Sequence, residues 1–238
     1  MSKSKTKNIE NYRYERKFVI SSKHITKNEI ENIIKLHPAI FREIYSERYV
    51  RNIYFDLIGL DNYLENVDGN TDRVKVRIRW YGNMLGQIKT PILELKIKKG
   101  LLGTKKQFSL SPFVLSDNIN TINSIDFFSL IENSGITNQI DRLKLKSIIP
   151  QLLNGYKRRY FLSNDKKYRI TIDSEQVFSR LGKRNNSLIN KYKNNSTIVL
   201  ELKYNFSDDK DVEKITKHFP FRLSKNSKYV NGINICYL

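Results

Sequence analysis

In Arg73-Val-Lys-Val-Arg-Ile-Arg-Trp80 every second residue is a cation. On an extended chain successive side chains point to opposite faces, so Arg73, Lys75, Arg77 and Arg79 share one face, and Val74, Val76, Ile78 and Trp80 share the other. Four further segments repeat the division. Glu94, Lys96 and Lys98 oppose Leu93, Leu95 and Ile97, while Glu201 and Lys203 oppose Leu200, Leu202 and Tyr204. Lys105, Gln107 and Ser109 oppose Lys106, Phe108 and Leu110, and Arg169, Thr171 and Asp173 oppose Tyr168, Ile170 and Ile172. A sheet with one wet face also alternates in this way, but its polar face ordinarily mixes both signs. Here cations dominate, and like charges on neighbouring strands repel one another. A polyanion gathered by the cationic faces would relieve that repulsion.

The elements that must position these side chains follow from the same periodicity. Two-residue alternation predicts strands at Tyr12–Ile20, Arg48–Asp56, Arg73–Tyr81, Ile88–Ile97, Thr104–Leu110, Gly155–Leu162, Lys167–Asp173, Glu175–Arg180 and Thr197–Tyr204. Helical patterns fall in Thr26–Leu36, Leu60–Val67, parts of Pro112–Leu153, and Asp208–His218, the last with Ser207 as N-cap and acidic residues in its first turn. The fold class expected is α+β: an antiparallel sheet or barrel with helices attached. The middle helical region divides the strands into two groups of similar size, as a barrel of two halves would.

Composition sets the outer limits. Among 238 residues, 43 Lys and Arg stand against 24 Asp and Glu, a net charge of +19, which favours polyanionic partners without choosing among nucleic acid, anionic lipid, nucleotide and polyphosphate. The single cysteine, Cys236, rules out an intramolecular disulfide and a cysteine-rich metal site, and fits a reducing, cytoplasmic compartment. No stretch approaches the roughly 20 apolar residues of a membrane span. Residues 1–10 read as a disordered basic lead-in without a secretory signal's apolar core, residues 11–238 as one domain, and Asn185–Asn195 as a flexible loop. The histidines His24, His37 and His218 lack ligand-like spacing and read as structural or surface residues. The aromatic residues read as core and as packing between the barrel exterior and its helices.

Several motifs, in order, resemble the VTC (polyphosphate polymerase) domain of the triphosphate tunnel metalloenzymes. They are Tyr14-Glu-Arg-Lys-Phe18, Asn52-Ile-Tyr-Phe-Asp56 followed by a short helix through Tyr63, and Val76-Arg-Ile-Arg-Trp-Tyr-Gly82. Then come Leu93-Glu-Leu-Lys96, Gly103-Thr-Lys105, Tyr156-Lys-Arg158, Arg169-Ile-Thr-Ile-Asp173, Val199-Leu-Glu-Leu-Lys203, and Ser227-Lys-Tyr229 with Gly232. The resemblance spans nearly the whole chain. It implies a closed antiparallel barrel of about eight strands with a hydrophilic lumen that holds a triphosphate. By the same carry-over, Lys17, Arg77, Arg79, Lys96, Lys105, Arg158, Arg169, Lys203 and Lys228 bind phosphate. Arg77, Arg79, Lys96, Arg158, Arg169 and Glu201 form the catalytic set, and Glu201 holds Mn²⁺ or Mg²⁺. Guanidinium groups clamp phosphate oxygens in pairs, lysines act as point charges, and a hard divalent ion takes carboxylate and phosphate oxygens.

Where the wider superfamily opens with Glu-x-Glu-x-Lys, this chain has Arg13-x-Glu15-x-Lys17, a departure toward the polymerase-like branch that leaves the role of Glu15 open. Gln107 stands where another cation is expected. Arg158 is flanked by Lys157 and Arg159, and a one-residue register shift would exchange them. The implied activity is phosphoryl transfer from a nucleoside triphosphate to polyphosphate, for which positioning and charge stabilisation suffice. The alternatives are an inorganic or nucleoside triphosphatase, and a non-catalytic binder of polyphosphate or nucleic acid. Nucleic acid is the weaker partner, because the cations are spread over many strands instead of gathered on a recognition helix or stacking platform. Any coupling to a membrane would come from a partner chain.

Overall fold

The computed structural model describes residues 12–116, 126–136, 145–181 and 191–238. The lead-in at residues 1–10 lies outside them. In chain order the elements are β1 (Arg13–Ser21), α1 (Lys27–Lys35), β2 (Arg42–Asp56), α2 (Asp61–Val67), β3 (Asp72–Tyr81), β4 (Gly86–Ile88), β5 (Ile92–Lys99), β6 (Leu102–Ser109), β7 (Phe113–Leu115) and α3 (Phe127–Glu132). They continue with β8 (Ile149–Leu162), β9 (Arg169–Arg180), β10 (Tyr192–Asn194), β11 (Thr197–Asn205), a 3₁₀ turn (Phe206–Asp211), α4 (Glu213–Thr216) and α5 (Lys228–Tyr237).

The main sheet runs β10-β9-β11-β1-β6-β5-β3-β2-β8, and β8 also pairs with β9, so every strand of it but β10 closes into a ring. All its pairings are antiparallel. The seam is narrow. Between β1 and β6 only Arg13 and Gly103 pair, so the ring is less regular than an ideal barrel. Gly100, at φ +57°, opens the two-residue turn between Lys99 and Leu102 and gives it the positive φ that such hairpins need.

The apolar faces point outward and are covered. Val76, Ile78, Trp80, Leu93 and Leu95 form one outer core with Phe113, Leu115, Phe127 and Ile131 from β7 and α3. Ile170, Ile172, Leu200 and Leu202 form a second with Ile30 and Ile34 of α1 and with Val212, Ile215 and Phe219. Each such side chain stabilises the fold by about 1.5–3 kcal/mol on full burial. With both outer surfaces committed to packing, the charged faces are left to line the interior.

Three expectations are corrected. The stretch Asp208–His218 falls in a 3₁₀ turn and a short helix, with Asn205 and not Ser207 at the N-cap position and no side-chain cap bond there, and its Val212 and Ile215, with Phe219 just beyond, pack on the barrel's exterior. The segments Lys167–Asp173 and Glu175–Arg180 are one strand, β9. An irregularity opposite Gly155–Lys157, with Glu175 at φ +50°, interrupts the alternation that made them look separate. Of the Asn185–Asn195 loop, residues 191–195 are described and include β10. Other boundaries shift as well: β2 begins at Arg42 and β8 at Ile149, so that the expected helical stretch Pro112–Leu153 holds β7 and the start of β8 besides α3, and the expected strand Ile88–Ile97 is divided, Ile88 ending β4 and Ile92 opening β5.

The interior is entered by α5. Tyr229 and Ile233 pack on Tyr54, Leu152 and Phe178. A Cβ added at Gly232 would lie 2.3 Å from Leu152 Cδ2 and 2.7 Å from Phe178 Cδ1, so only glycine lets the helix approach this closely. Asp56, fully buried, docks the helix. Its carboxylate accepts hydrogen bonds from the Tyr229 hydroxyl (2.5 Å) and from the backbone N–H groups of Leu57, Asn62 and Tyr63. The last two satisfy the N-terminus of α2, where Leu60 offers no side-chain cap. The Asn52–Asp56 motif thereby fixes α5, and with it Lys228.

Candidate phosphate-binding lumen

Strand register carries the inward side chains to one another. Lys17 faces Glu201 across β1–β11, Glu15 faces Lys203, Arg77 faces Glu94 across β3–β5, Lys96 faces Lys105 across β5–β6, and Arg158 faces Asp173 across β8–β9. Arg158 is thus the inward member of its run. Lys157 and Arg159, on the other face, pair with Glu175 and with Glu31 and Glu43.

The charges gather around two sets of carboxylates. Glu94 binds Arg77 (Nε to Oε2, 2.7 Å), Arg79 (3.6 Å) and Lys105 (3.7 Å). Gln107 Nε2 donates to Glu94 Oε1 at 2.7 Å, which explains an amide where a cation was expected. Behind this cluster Arg77 donates to the Tyr54 hydroxyl (3.2 Å), and Arg79 donates to Asn52 Oδ1 (3.2 Å) and the Tyr156 hydroxyl (3.0 Å). These bonds hold both guanidinium groups in place. Burial opposes the charge of Arg77, but Glu94 more than compensates and its pKa is raised. Burial would likewise raise the Glu94 carboxyl, yet Arg77 and Arg79 hold it well below the usual range.

The second set is Glu15, Asp173 and Glu201. Asp173 takes Arg158 in a two-pronged contact (2.5 and 2.6 Å) and Lys228 at 2.5 Å. Glu201 meets Lys203 (2.8 Å), Arg158 (3.4 Å), Lys228 (3.6 Å) and Lys17 (3.8 Å). Glu15 meets Lys96 (2.7 Å), Lys203 (3.4 Å) and Lys17 (3.8 Å). Against the burial cost, Lys203 and Lys228 keep the Glu201 carboxyl well below its ordinary value. Lys17 and Lys96 do the same for Glu15.

Of the residues singled out from sequence, Lys17, Arg77, Arg79, Lys96, Lys105, Arg158, Glu201, Lys203 and Lys228 are brought together. Arg169 lies on the same face of β9 as Thr171 and Asp173, in register with Lys203 at the exposed start of the strand, and no described residue forms an ion pair with it. The structure adds Asp173 and Glu94 as counter-charges, Tyr54, Tyr156 and Asn52 as supports, and Lys75. Lys75 donates to Ser227 Oγ at 2.8 Å and has no carboxylate within ion-pair distance among the described residues. Burial and the neighbouring cations Lys17, Lys96 and Arg73 press its pKa well below the usual lysine value. Among the described residues its amine is set among cations without a carboxylate partner of its own. Strand parity already placed it on the cationic face, and only its isolation needed the structure. The aromatic expectation is corrected in part, since Tyr54 and Tyr156 line the interior.

Among the described residues no group of three or more His, Cys, Asp or Glu is arranged to hold a metal. The lumen's carboxylates are those of Glu15, Glu94, Asp173 and Glu201, and a few such oxygens suit a hard cation that takes its remaining ligands from phosphate and water. No helix of the described residues is long and apolar enough to cross a membrane.

Lys96 supplies a pH test. Burial, only partly offset by Glu15, lowers its pKa to about 8. An arriving polyanion favours the protonated amine, so binding at pH 8.5–9 should take up protons and weaken by at most about tenfold per pH unit above 8. Calorimetry of tripolyphosphate binding in buffers of different ionisation heat measures that uptake. Lys96→Arg, charged throughout this range, should reduce it; an unchanged uptake would remove Lys96 from the binding surface. In the unliganded protein the sign differs. A lysine depressed by folding makes stability rise with pH between about 8 and its ordinary value of 10.5.

A closed antiparallel ring with an ionic interior, apolar outer faces and a helix seated in its lumen defines a triphosphate-tunnel fold. The chain belongs to the VTC domain family, which it matches over residues 12–237. Two solved structures share the architecture. One is a candidate adenylate cyclase from Vibrio parahaemolyticus, with 9% identity, a TM-score of 0.52, and coverage of 93% of this chain and 98% of that one. The other is a protein from Pyrococcus horikoshii OT3, with 11% identity, a TM-score of 0.52, and coverage of 94% and 99%. At such identities the likeness concerns the fold alone. A curated relative, the phenylalanine–tRNA ligase β subunit of Mycoplasma capricolum, is 24% identical over 237 residues; the match takes in 86% of this chain but only 28% of the relative's length.

Proposed function

We propose that this chain transfers a phosphoryl group from a nucleoside triphosphate, inside its lumen, to the end of a phosphate chain, and so synthesises polyphosphate. The observation that carries the reading is the surplus of inward cations. Lys17, Lys75, Arg77, Arg79, Lys96, Lys105, Arg158, Lys203 and Lys228 converge on four carboxylates, and Lys75 has none of its own. A polyphosphate supplies the missing negative charge along a line of cations at two-residue spacing. The family and the shared fold support a triphosphate as the ligand, and the Vibrio protein's description as a candidate cyclase concerns a nucleoside triphosphate as well.

On this reading Arg77 and Arg79, held by Tyr54, Asn52 and Tyr156, grip phosphoryl oxygens in a fixed orientation. Arg158 and Lys228 balance charge that develops between the transferred group and its leaving oxygen. No side-chain nucleophile is required. A divalent ion, Mn²⁺ or Mg²⁺, held by Glu201 would add neutralisation of phosphate charge. A membrane-protein partner would supply any coupling to transport.

The test is to incubate the protein with ATP and Mn²⁺ and to resolve the products by chain length. Long chains support polymerisation. Orthophosphate alone identifies a triphosphatase, in which water takes the acceptor's place. Binding of tripolyphosphate without turnover would overturn the enzymatic reading and leave a polyanion-binding module.

A further inference from the structure

We infer that the barrel rim beside Arg158 is a stacking platform for the nucleoside end of the substrate, so that the chain discriminates between nucleoside and inorganic triphosphates. The inference rests on the proposed placement of the triphosphate in the lumen. Its starting point is Arg48, whose guanidinium lies over three tyrosine rings: Tyr45 at 4.2 Å, Tyr81 at 5.6 Å and Tyr160 at 5.8 Å. No carboxylate among the described residues pairs with it. Arg48 is also the cross-strand partner of Arg158, and the Tyr160 ring lies 5.9 Å from the Arg158 guanidinium. One ring therefore touches both the buried charge cluster and the rim arginine.

The outer rings are open to a ligand. Tyr45 is 49% exposed and Tyr81 43% exposed, and Tyr45 stands edge-on to Tyr160 with ring centroids 5.6 Å apart. A surface arginine resting on tyrosines is common, and each such contact at an exposed site is weak. Two features go beyond that. The guanidinium rests on three rings at once with no acidic partner among the described residues, and the aromatic surface continues directly into the phosphate-binding cations. Flat π-faces and a guanidinium plane receive a nucleobase by stacking, which reads no hydrogen-bonding pattern and so tolerates any base. With the base on Tyr45 and Tyr81, the phosphates would run past Tyr160 toward Arg158.

The experiment compares dissociation constants for a non-hydrolysable ATP analogue and for tripolyphosphate, in the wild type, in Tyr45→Ala/Tyr81→Ala and in Tyr45→Phe/Tyr81→Phe. The alanine variant should weaken the analogue about 10-fold or more and leave tripolyphosphate within about twofold, while the phenylalanine variant keeps both. Thermal melts confirm folding, and if the double alanine variant unfolds, half-exposed Tyr45→Ala alone carries the test. Equal weakening of both ligands, or of neither, overturns the platform while the lumen reading stands. A wild type that binds neither ligand overturns both.

Discussion

Glu201→Ala should reduce metal-dependent turnover by about 100-fold or more, the scale expected when a preorganised group acting on transition-state charge is removed. It should also cost stability in the unliganded protein. Glu201 is buried and serves Lys17, Arg158, Lys203 and Lys228. Alanine leaves those four cations with only Glu15 and Asp173 between them, and breaking a buried pair from one side costs about 3–5 kcal/mol. The two losses can be separated. Tripolyphosphate replaces the missing negative charge and should restore the melting temperature, since a ligand that binds only the native state stabilises it by mass action. It should not restore turnover. Full metal-dependent activity in Glu201→Ala would remove this carboxylate from the chemistry. The pH sign follows from its depressed pKa: the stabilising contribution is complete above the ordinary value of 4.5 and is lost only as pH falls through the lower folded value.

Why Glu201 was legible in the sequence, while several of its neighbours were not, has a physical answer. Strand alternation is a local property, so the faces of Arg77, Arg79, Lys96, Lys105 and Glu201 could be read from parity alone, and the ring of antiparallel strands bears that parity out. Pairing between strands is non-local. Nothing in the segment ending at Asp173 says that it will lie against Arg158, nor that Glu94 will be the hub of a cluster. Tyrosine is ambiguous by chemistry, apolar in its ring and polar at its tip, so Tyr54 and Tyr156 looked like packing until their hydroxyls were seen to accept from arginines. The Ser227-Lys-Tyr229 motif with Gly232 is legible as part of the family resemblance, but nothing local to it makes residues 228–237 a helix seated in the barrel. Its placement depends on Gly232 and on the reach of Tyr229 to Asp56, two contacts far apart in the chain.

Asp173→Ala should be the most destabilising single change in the lumen of the unliganded protein, at about 3–5 kcal/mol. Asp173 is fully buried, holds Arg158 by both oxygens and takes Lys228 besides. Without it, Glu201 alone faces both cations, at 3.4 and 3.6 Å. In the absence of ligand the carboxylate therefore acts as an internal stand-in for phosphate, and its removal exposes two cations for which an incoming anion no longer has to compete. Two opposed effects follow from that one change. The unliganded variant melts lower than the wild type, yet tripolyphosphate raises its melting temperature by more than it raises the wild type's, and binds it more tightly. Denaturant unfolding with and without tripolyphosphate measures both quantities. Loss of stability without the larger ligand-induced gain would make Asp173 a structural counter-ion only, and Arg158 would then lose its place among the phosphate-binding residues.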